Sequence, residues 1–152
     1  MIVIKSQHEI DIMKKAGEIT AIALEKIREA ISPGVTTLEL DKMVEEYIKS
    51  QGATPSFKGY GGAPGVPKYP ASICTSVNDE VIHGIPGLRK LKDGDIISID
   101  IGVYYNGYNG DAARTYAVGN ISKNAEKLIQ TTKESFFEGI KYAVEGNRIV
   151  DI

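Results

Sequence analysis

The stretch 96–118, IISIDIGVYYNGYNGDAARTYAV, limits the fold more than any other part of the chain. It reads as a β-hairpin, because Asn106-Gly107 is the dipeptide that best tolerates the two positive φ angles of a type I′ turn. With those two residues as the loop, Tyr105 faces Tyr108, Gly102 faces Asp111 and Ile101 faces Ala112. Side chains alternate along a strand, so Ile97, Ile99, Ile101 and Val103 share an apolar face, and Ser98, Asp100 and Gly102 share the other. Asp111 falls on that second face, diagonal to Asp100. Diagonal neighbours lie roughly 7–8 Å apart at Cα, near enough for two short carboxylates to close on one cation, with no side chain at Gly102 to block them. Paired acids on the polar face of a hairpin are more often solvated than ligating, and a slipped register would separate them. From the hairpin alone both readings stay open.

A chain of 152 residues suffices for one domain with a real core. The net charge of −2 gives no general attraction to nucleic acid or to an anionic membrane, so neither is expected as a partner. Cys74 is the only cysteine, which excludes an internal disulfide and zinc-finger spacing. The opening residues MIVIKSQHEID lack a signal-peptide apolar region, and no run reaches membrane-spanning length. The expectation is a soluble, cytoplasmic protein.

Ser6 with Glu9 forms a capping-box signal for a first helix, along which Met13, Ala16, Ile19, Ala23, Leu24, Ile27 and Ile31 recur at helical spacing. Gly17 inside this helix costs about 1 kcal/mol relative to Ala, which suggests a close neighbour there. His8, in the first turn, reads as a surface residue. After Ser32-Pro33-Gly34, Thr36 with Glu39 signals a second helix carrying Leu40, Met43, Val44, Tyr47 and Ile48, with Gly52 placed to end it. Residues 54–72 hold four of the six prolines and read as a loop. Phe57, Tyr60 and Tyr69 lie within it, either pinning the loop to the core or lining a pocket. No phosphate-loop pattern accompanies its glycines.

Residues 73–77 read as a short strand, Asn78-Asp79-Glu80 as a turn, and Val81-Ile82-His83 as the strand resumed. His83 would then stand where a strand opens into the tight loop Gly84-Ile85-Pro86-Gly87. That placement suits a catalytic histidine, although a lone histidine is more often structural. Asp93-Gly94 turns the chain into the hairpin. Beyond it, Ser122 caps a helix with Ala125, Leu128, Ile129, Phe136, Ile140, Ala143 and Val144 on a broad face, ending at Gly146-Asn147. GVTTLEL at 34–40 and GNRIVDI at 146–152 share a pattern at an offset of 112. The first copy opens a helix, and the second reaches no such face before the sequence ends. Since repeated units stack on their twins, the expectation is a chain cut within a longer unit.

VNDEVIHGIPG at 77–87, followed by LKDGDIISIDIGVYYNGYNGDAARTYAVG at 91–119, resembles the first half of a type I methionine aminopeptidase, and the resemblance extends over residues 1–152. It implies an α/β (α+β) chain forming half of a pita-bread fold, an antiparallel sheet with helices packed on one face. In the full-length protein it implies metal-dependent removal of the N-terminal methionine from nascent proteins, with two divalent ions (Co, Mn, Fe or Zn) that activate water. Asp100 and Asp111, with ten residues between them, match the family's first two metal ligands. His83 matches the histidine that contacts substrate and helps stabilise the scissile amide. Tyr60, Tyr69 and Cys74 fall at or near positions that wall the methionine pocket, with Phe57 at a fourth.

The sequence departs from the family pattern in two places. The remaining ligands, one His and two Glu, belong to a second half beyond Ile152, as do a second substrate-contacting His and the acid/base Glu. Two carboxylates alone cannot complete a dinuclear site, so the 152-residue chain by itself is expected to be inactive or nearly so, and two copies could pair through the surface left uncovered. The stretch 61–68 also makes the Tyr60–Tyr69 interval longer than in the shortest members. The alternatives are a Xaa-Pro peptidase of the same fold, which fits NDEVIHGIP less well, and a non-catalytic binding or structural member.

Overall fold

A computed structural model describes residues 3–152. Both capping boxes form. The Ser6 hydroxyl accepts from the Glu9 amide at 3.4 Å while the Glu9 carboxylate accepts from the Ser6 amide at 2.7 Å, opening helix α1 (Gln7–Ala30). Thr36 and Glu39 repeat the exchange at 3.2 and 2.7 Å to open α2 (Thr37–Ser50). Each cap supplies about 1 kcal/mol by satisfying amides that have no partner inside the helix. Gly52, at φ +69°, lets the chain leave α2 in the left-handed conformation. His8 is exposed, as expected.

Four strands make one antiparallel sheet: β1 (Thr54–Pro55), β2 (Ile73–Val77), β3 (Ile96–Tyr105) and β4 (Tyr108–Ala117). β3 is central. β4 pairs with its full length on one edge, while β2 and then β1 share the other, opposite Ile97–Ile101 and Val103–Tyr104. The turn is the expected one, with Asn106 at φ +46° and Gly107 at φ +94°. Its register sets Gly102 opposite Asp111 and Ile101 opposite Ala112. Ile97, Ile99, Ile101 and Val103 are 0% exposed and pack with α1, α2, Ile73 and Val77 into a single core. Burial of each such side chain is worth about 1.5–3 kcal/mol. The opposite sheet face carries Ser98, Asp100 and Gly102.

The structure differs from the sequence reading at four points. Met13, expected in the buried stripe, is 39% exposed, one turn before the helix and sheet backbones meet. That meeting lies beside Gly17 but does not depend on it: a Cβ on Gly17 would touch nothing within 4 Å, whereas one on Gly110 of β4 would stand 2.6 Å from the Ala16 carbonyl carbon. The strand does not resume at Val81-Ile82-His83. The Thr75 amide bonds the Gly84 oxygen at 2.8 Å, but His83 sits at φ +60°, outside strand geometry, and Val81 and Ile82 are exposed. Helix α3 (Lys123–Ile140) is capped by Ser122 as expected, yet it buries none of its residues and stops at Ile140 instead of Gly146. Past Ile140 the Tyr142 and Ala143 amides bond three residues back, to the Gly139 and Ile140 oxygens at 3.0 and 3.1 Å, and this tighter turn ends the helix.

The repeat has a geometric counterpart. Gly34 and Gly146 take φ of +98° and +94°, and the Thr36 and Arg148 amides donate to the carboxylates of Glu39 and Asp151 at 2.7 and 2.8 Å. At the same offset, Thr20 and Thr132 each donate to the carbonyl four residues back, at 3.0 and 2.9 Å. The first copy continues as α2, and the second makes one 3₁₀ turn, Ile149–Asp151.

Candidate metal centre

The hairpin register places Asp100 and Asp111 on the same sheet face, as the alternation requires. Asp100 lies on the central strand opposite Cys74 of β2, partly buried, while Asp111 on β4 is exposed. Oδ1 of Asp100 is buried with no hydrogen-bond partner. Burial pushes the Asp100 carboxyl above its usual range, the Asp111 charge adds to the rise, and His83 opposes it. A buried, unpartnered carboxylate beside a second one is a costly arrangement for the protein alone. A cation relieves it.

Asp100, Asp111, His83, Phe57, Tyr60, Tyr69 and Cys74 line one cavity of about 830 Å³, together with Ser56, Ile85 and Asn109. The Phe57 and Tyr69 rings meet edge to face, with centroids 6.5 Å apart. The Tyr69 hydroxyl lies 3.0 Å from the Ile73 oxygen and 3.1 Å from the Gly84 oxygen, and burial raises its pKa, so it stays protonated and is committed to the backbone. Burial likewise pushes the Cys74 thiol up, Tyr69 opposes the rise, and the nearby acids reinforce it. Cys74 thus presents a neutral thiol. Tyr60 is 77% exposed at the rim. The stretch 61–68 leaves and rejoins the cavity wall at one place, because the Tyr69 amide bonds the Tyr60 carbonyl at 2.9 Å and the Gly59 amide bonds the Tyr69 carbonyl at 2.8 Å.

The gap at Gly102 is not left open. A Cβ there would stand 2.6 Å from Phe57 Cε1 and 3.0 Å from Ser56 Cβ, so this glycine admits the loop as well as separating the two acids. Sequence reasoning passed over Ser56 and Asn109, which bond each other at 2.8 Å, because neither residue type signals a pocket. It also passed over Asp41 of α2. This buried carboxylate accepts the Ser72 and Ile73 amides at 2.8 and 3.0 Å and ties the start of β2 to the helix.

The donors fit a hard divalent ion, since such ions take carboxylate oxygens and need about six ligands. Among the described residues no group of three or more His, Cys, Asp or Glu side chains could hold a metal.

The profile of metallopeptidase family M24 matches residues 11–152. The chain belongs to metallopeptidase family M24. This M24 chain is 56% identical over 152 residues to a methionine aminopeptidase of Clostridium perfringens (strain 13 / Type A), covering all of itself and 59% of that protein. It therefore spans about three fifths of the length of the curated relatives it matches. A solved methionine aminopeptidase from Streptococci superposes with a TM-score of 0.90 at 33% identity, over 98% of this chain and 63% of that one. A Xaa-Pro dipeptidase from Bacillus anthracis gives 0.67 at 32% identity, over 82% of this chain and 32% of that one. The antiparallel sheet with helices on one face is the pita-bread architecture of these proteins, present over that share of it. The family implies divalent metal cofactors. No helix among the described residues is long and apolar enough to cross a membrane.

Proposed function

We propose that this chain is the N-terminal half of a cytoplasmic methionine aminopeptidase, and that the full-length protein removes the initiator methionine from nascent chains. One observation carries the reading: the orphaned, buried Asp100 Oδ1 stands on the same sheet face as Asp111, in a cavity walled by Phe57, Tyr69 and a neutral Cys74. Asp100 and Asp111 would hold the divalent ions (Co, Mn, Fe or Zn), which when bound supply Lewis acidity and a water of lowered pKa.

The chain's own residues account for the rest of the proposed chemistry. Asp100, fixed on the central strand and short of hydrogen bonds, offers a rigid anionic donor, and the exposed Asp111 offers a second from the neighbouring strand. The edge-to-face pair of Phe57 and Tyr69, with the uncharged Cys74 thiol, suits a thioether side chain, because sulfur packs favourably against aromatic rings. The Tyr69 hydroxyl, occupied by backbone oxygens, adds no free polar group to that wall. His83 lines the same cavity from a left-handed backbone position that costs about 1–3 kcal/mol, a local strain of the kind found at functional sites. Its role is to contact the substrate and stabilise the scissile amide.

The test is release of methionine from Met-Ala-Ser by the full-length protein with Co²⁺ or Mn²⁺. Comparing Met-Ala with Ala-Pro cleavage separates this reading from a Xaa-Pro peptidase, and absence of methionine release with either metal would refute it. The 152-residue chain alone, with two donors, is expected to show no turnover. Alone it should also self-associate through the exposed apolar residues of α3, including Phe136 and Phe137; monomeric sedimentation at high concentration would count against that.

A further inference from the structure

On the polar face of β3, Gly102 leaves a gap, and the loop after β1 crosses it. The Ser56 amide donates to the Gly102 oxygen at 2.9 Å, and the Ser56 hydroxyl donates to Asn109 Oδ1 at 2.8 Å. Ser56 therefore starts on one edge of β3 and bonds β4 beyond the other. Phe57, next in sequence, fills the gap so closely that a Cβ on Gly102 would stand 2.6 Å from its ring. Asn109 and Asp111 occupy alternate positions of β4 and so share a face. The other ties of this loop lead elsewhere. Lys58 pairs with Glu45 of α2 at 2.8 Å, and Phe57 meets Tyr69 near the end of the same loop.

We infer that the Ser56–Asn109 hydrogen bond across Gly102 is a positioning clasp that fixes the reach between the Phe57 wall and the Asp100–Asp111 pair, and so sets the cavity depth for the first side chain of a peptide substrate. This rests on the aminopeptidase reading and specifies it. The wall that measures the side chain is tied to the strand carrying one of the carboxylates, so recognition and the reacting amide share one frame. Ser56 and Asn109 are positioning residues, since they act through Phe57. A glycine at 102 is required because any side chain there would push Ser56 and Phe57 off the sheet and stretch the bond.

The experiment uses the full-length protein and Met-Ala-Ser. Ser56→Ala and Asn109→Ala should each raise KM by about three- to tenfold, the value of one hydrogen bond, with a smaller change in kcat. Preference for Met over Leu at the first position should fall in both. The double variant should cost no more than either single one, because both remove the same bond. Ser56→Thr, which keeps the hydroxyl, should restore KM, and Gly102→Ala should raise it further than loss of the bond alone. Calorimetric binding of L-methionine should follow the same order without depending on turnover, and the thermal midpoint of each variant reports whether it folds. Single variants that keep both KM and Met-over-Leu preference, or single-variant costs that simply add, overturn the clasp. If the parent protein works and the variants are unaltered, only the clasp fails; if the parent releases no methionine and binds none, the aminopeptidase reading fails and the clasp with it.

Discussion

Gly110 of β4 is where the sheet meets the backbone of α1, and adding one methyl group there should be severe. A Cβ at this position would stand 2.6 Å from both C and O of Ala16 and 2.7 Å from the Gly17 nitrogen. Carbon atoms rest about 3.5–4.0 Å apart, so the methyl demands roughly 1 Å of extra separation. No side-chain rotation can supply it, because every clashing atom is backbone. Helix α1 would have to lift, taking with it Ala16, Ile19, Ala23, Leu24 and Ile27, none more than 2% exposed. Overpacking of this kind costs about 1–3 kcal/mol, and the rigidity of both partners puts Gly110→Ala at the upper end. At 2–4 °C per kcal/mol for a chain of this size, the thermal midpoint should fall by about 6–12 °C. Gly17→Ala is the matched control: it sits at the same contact, but its Cβ would meet nothing within 4 Å. Replacing a helix-interior glycine there should stabilise the chain by about 0.5–1 kcal/mol. Circular-dichroism melts of the two variants beside the parent decide the matter. A Gly110→Ala chain that melts with the parent, or a Gly17→Ala chain that melts as low as Gly110→Ala, would refute the reasoning.

Three further outcomes are expected. Asp41→Ala should strand the Ser72 and Ile73 amides and cost about 2–4 kcal/mol by urea denaturation, whereas Asp41→Asn keeps an acceptor and recovers most of it; equal losses would count against the assignment. Bonds from Lys49 and Lys58 hold the Glu45 carboxyl down to about 2, against an ordinary value of 4.5. The native state then binds its proton less readily than the unfolded chain, so the stability Glu45 gives is whole above about 4.5 and is lost as pH falls toward 2. The melting difference between the parent and Glu45→Gln should shrink over that window, and a flat difference would contradict it. In the full-length protein, Asp100→Asn should weaken Mn²⁺ binding by more than about 100-fold, beyond the usual loss from an outer-shell change. Calorimetry showing unchanged affinity would remove Asp100 from the donor set.

What could be read in the sequence was what neighbouring residues decide. Asn106-Gly107 settles the turn and, through it, the register that brings Asp100 and Asp111 to one face. Ser6 with Glu9 and Thr36 with Glu39 reveal both caps because donor and acceptor lie three residues apart. The placements that were missed depend on distant parts of the chain. Gly17 announced a close approach, but the glycine that makes it possible is Gly110, on a strand far along the sequence. Asp41 carries no local signal, because the two amides that occupy it come from the start of β2, more than thirty residues on. The β-branched run through Val81 and Ile82 suggested a strand, and the close backbone approach of Gly84 to Thr75, with His83 left-handed, overrode that propensity. The apolar face of α3 predicted burial, and the described residues do not cover it.

The two-residue turn also bears on the order of events in folding. Reversal of the chain at Asn106-Gly107 needs no distant partner, and hairpins close in about 1–10 μs. The like charges of Asp100 and Asp111 should therefore come together early, while water still surrounds them. β2 must arrive later to lay Cys74 beside Asp100, and Ser56 must find a partner 53 residues away. Stripping water from that carboxylate belongs to those late steps, so the slow part of the folding pathway should gather where the loop and β2 settle onto an acid pair already in place.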